Sequence, residues 1–219
     1  MPKFKTLKDH VYDYIAEQIM EGRLRPSEKI SEAAICEELS ISRTPVREAL
    51  IQLAGEEILE NVPRKGFIIR HVDLKEAREL YEVIGQLDGL AAYNACAGLT
   101  EQDFKDMDFY IESMDLAIRS ENFAMYYRQQ LEFHQVYISK CSNQTLISEI
   151  ERLRNKFIKK SYTTDPKGEI IRILLATNAE HREIYTLLKD RKKEQVADYI
   201  AHTHWSPERS RFDLMGDEA

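Results

Sequence analysis

The chain has 219 residues, with 31 lysines and arginines against 38 aspartates and glutamates, a formal net charge of -7 and 43% hydrophobic residues. That length allows two modest domains with separate cores, and the acidic total excludes binding to nucleic acid or membrane through bulk positive charge, so any such contact must come from a local cluster of cations. No apolar run approaches the roughly 20 residues of a membrane span, no secretion signal opens the chain, and Cys36, Cys96 and Cys141 form neither a zinc pattern nor an evident disulfide framework, so a soluble protein of the reducing cytoplasm is expected, its cysteines serving as small hydrophobes.

Leu7, Val11, Ile15 and Ile19 recur every four residues and predict a first amphipathic helix, with Thr6 as its cap and its end near Gly22. Ser31 starts a second helix that carries Ile35 and Leu39, and a short break at Ser40 and Ile41 brings it against a third. Ser42 or Thr44 can cap that third helix, and Pro45 is tolerated in a first turn whose amide hydrogens have no intrahelical acceptor. Val46, Leu50 and Leu53 then form a buried stripe, while Arg43 and Arg47, one turn apart, project from a neighbouring face. Two guanidiniums at the start of a helix can pair bidentately with guanine edges or hold phosphates, and the helix amino end itself favours phosphate. A solvated helix whose Arg47 pairs with Glu48 or Glu56 is the alternative. The chain beyond this helix favours recognition: Ile58 to Val62 and Phe67 to Val72 read as two strands joined by Pro63, Arg64, Lys65 and Gly66, a hairpin with two cations at its tip. Gly66 lets that tip approach a phosphate or the floor of a minor groove closely. Residues 1–72 thus read as a winged helix-turn-helix that docks on DNA.

From residue 73 to 219 the periodicity is helical, and an all-α bundle is expected, with helices over 73–96, 100–120, 122–140, 144–162, 166–189 and 192–206. Thr100 with Asp103 forms a capping-box variant, Asn143 can start the fourth helix, and Asp165 before Pro166 caps the fifth; the tail beyond Trp205 is expected to fray. Such bundles gather ligand sites from facing helices. The histidines are the candidates: His134, with Gln130 one turn before it, His181, and His202 and His204 near the end. Each taken singly reads first as a surface or hydrogen-bonded histidine. The positions three before these histidines are Leu131, Asn178, Tyr199 and Ala201, so the Glu-x-x-His pairs of a di-iron bundle are absent. His-Glu-x-x-His, Gly-x-Ser-x-Gly and Gly-rich phosphate loops are absent too, and no enzyme is expected. Apolar positions such as Leu116, Ile118, Ile147, Ile150 and Leu153 suit the bundle core or a dimer interface, with core the default.

The first part of the chain resembles the GntR family of bacterial transcription regulators through Gly22-Arg-Leu-Arg-Pro26, Ile30-Ser-Glu32, Ser42 to Leu50 and Arg64-Lys-Gly66. The family's usual Pro-Gly-Glu is Pro26-Ser27-Glu28 here, and a common glycine near the end of the third helix is Glu57. The resemblance implies operator contacts from Arg43, Thr44 and Arg47, and from Arg64, Lys65 and Gly66 at the wing. The helical part resembles the FCD domain of the FadR branch through Glu79-Leu-Tyr-Glu82, Phe133-His134, Ser142-Asn143, Glu180-His181, His202, Ser206 and Arg209. In metal-containing members an aspartate and three histidines hold a divalent cation that a small organic acid completes. Carried over residue by residue, this implies zinc or nickel on His134, His181 and His202, with His204 the rival for the last place. The effector, a carboxylate, would lie among Gln130, His134, His181 and His202. Gln130 stands at the family's aspartate and Ile84 at a frequent arginine, and a metal-free pocket lined by the same histidines is the competing picture. The whole reads as a ligand-responsive repressor that binds a palindromic operator as a homodimer; a helical half that only dimerises, or a metal-dependent hydrolase, are the other readings.

Overall fold

A computed structural model describes residues 5–20, 23–24, 27–157 and 169–213. The expected helix end at Gly22, the Asp165–Pro166 cap and the last six residues lie outside the described residues. The chain divides into two compact units, one built chiefly from residues 1–73 and the other from 74–154 and 162–215.

The first unit contains α1 (Leu7–Met20), α2 (Glu32–Leu39), α3 (Arg43–Gly55), β1 (Leu59–Val62) and β2 (Gly66–Ile69). The stripes predicted from periodicity meet in one core: Val11, Ile15 and Ile19 of α1 and Val46, Leu50 and Leu53 of α3 pack with Ile35, Ile58 and Phe67. Thr6 Oγ1 accepts from the Asp9 backbone at 3.3 Å, and Ser31 Oγ accepts from Ala34 N at 3.2 Å, so both expected caps form. Ser40, in the left-handed region at φ 54°, closes α2 and turns the chain directly into α3. Ser42 sits at the N-cap of α3 without a side-chain capping bond. The reason is chemical, because the third helical residue, whose amide such a cap engages in α2, is here Pro45 and has no N–H.

Lys65 N bonds Val62 O at 3.1 Å across Pro63 and Arg64, and Arg64 has φ 68°. Proline followed by a residue at positive φ is the arrangement of a type II turn. Gly66 at φ 89° then carries the chain into β2, paired antiparallel with β1 from Leu59↔Ile69 to Val62↔Gly66. A bridge between Lys29 and Ile68 ties the segment before α2 to the same ribbon.

The second unit contains α4 (Leu74–Ala95), α5 (Glu101–Arg119), α6 (Phe123–Ile138), α7 (Gln144–Asn155), α8 (Glu169–Lys189), α9 (Lys193–Tyr199), a π-helical turn (Ile200–His204) and a short α10 (Ser210–Asp213). Thr100 and Asp103 form the full capping box of α5, and Asn122 and Asn143 cap α6 and α7. Ile118, Ile150 and Leu153 are buried as the core reading expects, whereas Leu116 is 58% exposed. One packing detail positions the site. A Cβ added at Gly89 would stand 2.6 Å from Ala197 O, and one at Gly85 2.9 Å from both Ala201 O and Trp205 Cβ. Only hydrogen at these two positions of α4 lets the backbone of α9 and of the π-helical turn come so close, and Trp205 Nε1 then donates to the next buried position of α4, Asp88.

Candidate functional site

In the first unit, α2, α3 and the hairpin enclose a groove of about 440 Å³ whose lining includes Arg43, Arg47, Arg64, Lys65, Lys29 and Gly66. Thr44 is exposed in the first turn of α3, and Arg64 and Lys65 are exposed at the hairpin tip. The Arg43 and Arg47 side chains are 75% and 62% exposed. Neither pairs with Glu48 or Glu56. Arg43 Nε donates to Glu32 Oε2 at 3.0 Å, Arg47 Nη1 lies 4.0 Å from Glu32 Oε1, and Glu56 accepts instead from Lys8 at 2.5 Å. Glu32, only 15% exposed at the start of α2, therefore binds Arg43 directly and lies at ion-pair distance from Arg47, and both arginines line the groove. The motif around Glu32 was visible in the sequence, but this orienting role depends on how α2 meets α3.

In the second unit the three histidines that come together are His134, His181 and His204: all are buried, and one ring nitrogen from each lies within 4.8 Å of the others. This corrects the expected ligand set. The His202 side chain is 65% exposed and lies 3.7 Å from Asp198, on the opposite side of the turn from the cluster. The buried residues Val196 and Ile200 explain the choice, since His204 follows Ile200 by four residues and continues their face, whereas His202 follows by two and must point away. That periodicity is the sequence signal for His204.

Each imidazole is fixed from behind. His134 Nδ1 lies 2.6 Å from Tyr137 Oη and 3.2 Å from Asp88 Oδ2. Tyr137 spends its own hydrogen on Asp88 Oδ1 at 2.8 Å, so its oxygen can only accept, and His134 Nδ1 carries the proton. Burial pushes the Tyr137 hydroxyl well above its ordinary value, which keeps that hydrogen in place. His204 Nδ1 faces Glu180 Oε2 at 3.0 Å, and Glu180 is also ion-paired with Arg209. His181 Nδ1 faces Asn178 Oδ1 at 3.4 Å, and the Asn178 amide is oriented by donation to Ile111 O and Asp115 Oδ1. With Nδ1 of each ring turned to an oxygen partner, Nε2 is the nitrogen each ring leaves for the cluster. Burial lowers the His134 pKa to about 4 against the opposing pull of Asp88, so this ring is neutral near pH 7.

His134 Nε2 and His204 Nε2 lie 3.1 Å apart. Two lone pairs at that distance repel unless a proton or a cation sits at them. Three neutral imidazoles, each anchored through its far nitrogen, form a donor set suited to zinc or nickel with a coordination position left open. The residues present therefore fit a divalent metal. Gln130 lines an adjoining cavity of about 40 Å³ together with His204, Trp205, Arg209, Tyr126 and Thr177. Ile84, at the position of the family's arginine, is fully buried. Asp88, which sequence reasoning missed, is 0% exposed. Burial opposes its ionisation, yet His134, the field of Arg154 and Tyr137 hold its carboxyl at about 2.

A winged helix with an arginine-lined groove, joined in one chain to a helical bundle with a buried histidine cluster, defines a class of DNA-binding transcriptional regulators. The profile of the bacterial regulatory proteins of the gntR family matches residues 7–69, and that of the FCD domain matches residues 79–204. The chain belongs to the gntR family of regulators, with an FCD domain as its second half, and is a regulator and not an enzyme. Among similar proteins, the HTH-type transcriptional regulator YdhC of Bacillus subtilis is 25% identical over 193 residues, covering 86% of this chain and 84% of its own. The Nta operon transcriptional regulator of Aminobacter aminovorans is 28% identical over 177 residues, 80% of each chain. The solved structure of Escherichia coli McbR/YncC superposes with a TM-score of 0.74 at 20% identity and 96% coverage of both chains, a likeness of fold. Among the described residues no helix is long and apolar enough to cross a membrane.

Proposed function

We propose that this protein is a cytoplasmic, effector-controlled repressor of the FadR branch, in which residues 1–72 read an operator and residues 73–219 bind a metal and a small carboxylate and dimerise. Arg43, Thr44 and Arg47 enter a major groove, and Arg64, Lys65 and Gly66 approach the adjacent backbone. A homodimer places two such units on a palindromic site, because two-fold symmetry in the protein is matched by symmetry in the operator. His134, His181 and His204 would hold zinc or nickel, and the bound ion would supply a Lewis-acidic position for an anion. Gln130 and Arg209 flank that position and offer an amide and a guanidinium to a carboxylate. The cavity beside them accommodates only a few water-sized groups, so an effector must displace side chains to enter, and this gives it different affinities for two arrangements of the protein. A ligand of equal affinity for both would change nothing.

The observation that carries the effector half of this reading is the common polarity of the three imidazoles, each tied at Nδ1 and turned inward at Nε2. The test uses the single tryptophan, Trp205, whose ring centre lies 6.0 Å from that of His204 and 6.3 Å from that of His134. Nickel added to metal-free protein is expected to quench its fluorescence saturably, and His204→Ala, but not His202→Ala, should remove the effect. Carboxylates should then raise the melting temperature only with metal present and release operator DNA in a mobility-shift assay. Quenching that survives His204→Ala would refute the ligand set. Acids that act equally without metal would favour the metal-free pocket.

A further inference from the structure

The cluster lacks a carboxylate where the family's metal-containing members supply one, since that position is Gln130. A buried carboxylate nevertheless reaches the cluster from a different helix. Asp88 of α4 is fully buried, receives Tyr137 Oη–H on Oδ1 at 2.8 Å, and receives Trp205 Nε1–H at 2.8 Å and His134 Nδ1–H at 3.2 Å on Oδ2. Among the described residues no lysine or arginine is ion-paired with it, whereas the other carboxylate behind the cluster, Glu180, is ion-paired with Arg209. Of its three donors, His134 is the one that belongs to the cluster.

Resting on the metal reading proposed for this site, we propose that Asp88 is the positioning residue of the centre: it holds His134 with Nε2 inward and delivers, through that ring, the negative charge that Gln130 cannot. A carboxylate behind a ligating histidine fixes the tautomer and raises the basicity of the ligand nitrogen, and removing one typically costs about 10- to 100-fold in metal affinity. An amide cannot replace it. Three hydrogens converge on Asp88, and an asparagine of the same shape has only one oxygen to accept them. Asp88 also binds the residue that follows His204, so a single side chain of α4 organises two of the three imidazoles. Gly85, which admits the π-helical turn, and Gly89, which admits α9, make this reach possible.

Two measurements test the assignment. First, nitrogen-15 shifts of the histidine rings in native, metal-free protein should show His134 as the Nδ1–H tautomer. The Nε2–H form there would overturn the proposal whether or not the protein binds metal, and this arm does not depend on any variant folding. Second, zinc affinity is measured by competition with a chromophoric chelator for the native protein, Asp88→Asn and the double variant Asp88→Asn with Gln130→Asp. Asp88→Asn is expected to weaken zinc about 10- to 100-fold, and the added carboxylate at position 130 to recover most of the loss. Loss of less than about threefold, or no recovery by Gln130→Asp, would overturn the role of the charge and leave Asp88 as packing alone. If the native protein binds no zinc while His134 has the expected tautomer, the metal reading fails and Asp88 remains the residue that orients the ring.

Discussion

In the proposed reading Arg43 and Arg47 carry sequence recognition, and both lie beside one shared acceptor, Glu32. Glu32 accepts from Arg43 and lies at the edge of ion-pair distance from Arg47, so one carboxylate biases both guanidiniums toward the same side. Arg47→Ala should abolish discrimination between operator and random duplex in a mobility-shift competition, with circular dichroism unchanged because this side chain is 62% exposed. A variant that kept full discrimination would remove α3 from the reading of the operator. A second residue-level expectation concerns backbone strain. Ser27 and Glu57, the two places where the family commonly has glycine, adopt φ 65° and 59°. Side chains in that left-handed region are disfavoured by contact with the carbonyl, so Ser27→Gly should raise stability in urea melts by up to about 1 kcal/mol.

Helix termini show which local signals act at the level of the element. The α5 box uses Thr100 Oγ1 to accept from Asp103 N and Asp103 Oδ2 to accept from Thr100 N at 2.7 Å, and Lys140 approaches Asp103 Oδ1 at 3.0 Å. Burial alone would raise the Asp103 pKa, but the hydrogen bonds of Thr100 and the Lys140 ammonium bring it below its ordinary value. A carboxyl whose folded pKa is depressed adds stability that is complete above its unfolded value, near 3.8, and is lost as pH falls through the folded one. Asp103→Asn should therefore be less stable than the native chain at pH 7, and the difference should shrink as urea melts are repeated toward pH 3. A difference independent of pH would locate the effect in packing. The π-helical turn after α9 belongs to the same scale: Trp205 N reaches Ile200 O at 3.0 Å, a five-residue step that ends the helix just where Trp205 turns onto Asp88.

For the molecule as a whole, the net charge of -7 and the cationic groove must be reconciled. In the proposed mode of binding, acidic residues spread over both units would repel the duplex at a distance, while Arg43, Arg47, Arg64 and Lys65, which line one groove, would attract it locally. The expected consequence is weak non-specific binding with a steep dependence on salt. Replacing Arg64 by alanine should reduce the slope of log affinity against log salt by roughly 1 per half-site, if that side chain holds a phosphate. Fluorescence-anisotropy titrations at several salt concentrations give that slope directly, and an unchanged value would take the hairpin tip off the DNA backbone.

The amino-acid sequence by itself determined what local chemistry and periodicity can determine. The helix-turn-helix stripe, the hairpin with its basic tip, the caps at Ser31, Thr100 and Asn143 and the run of amphipathic helices all follow from residues within a few turns of one another. Asp88 was within reach too: it falls on the buried stripe of α4 that runs through Ala77, Tyr81, Ile84 and Ala91, where a charge demands partners. Only the tertiary structure decided that those partners are His134, Tyr137 and Trp205, that Glu32 collects two arginines, and that His204 rather than His202 joins the cluster. These choices depend on groups brought together across 11 to 117 positions of chain. No propensity encodes such meetings, because they are set by how closely helices pack, here by two glycines that let one backbone rest against another.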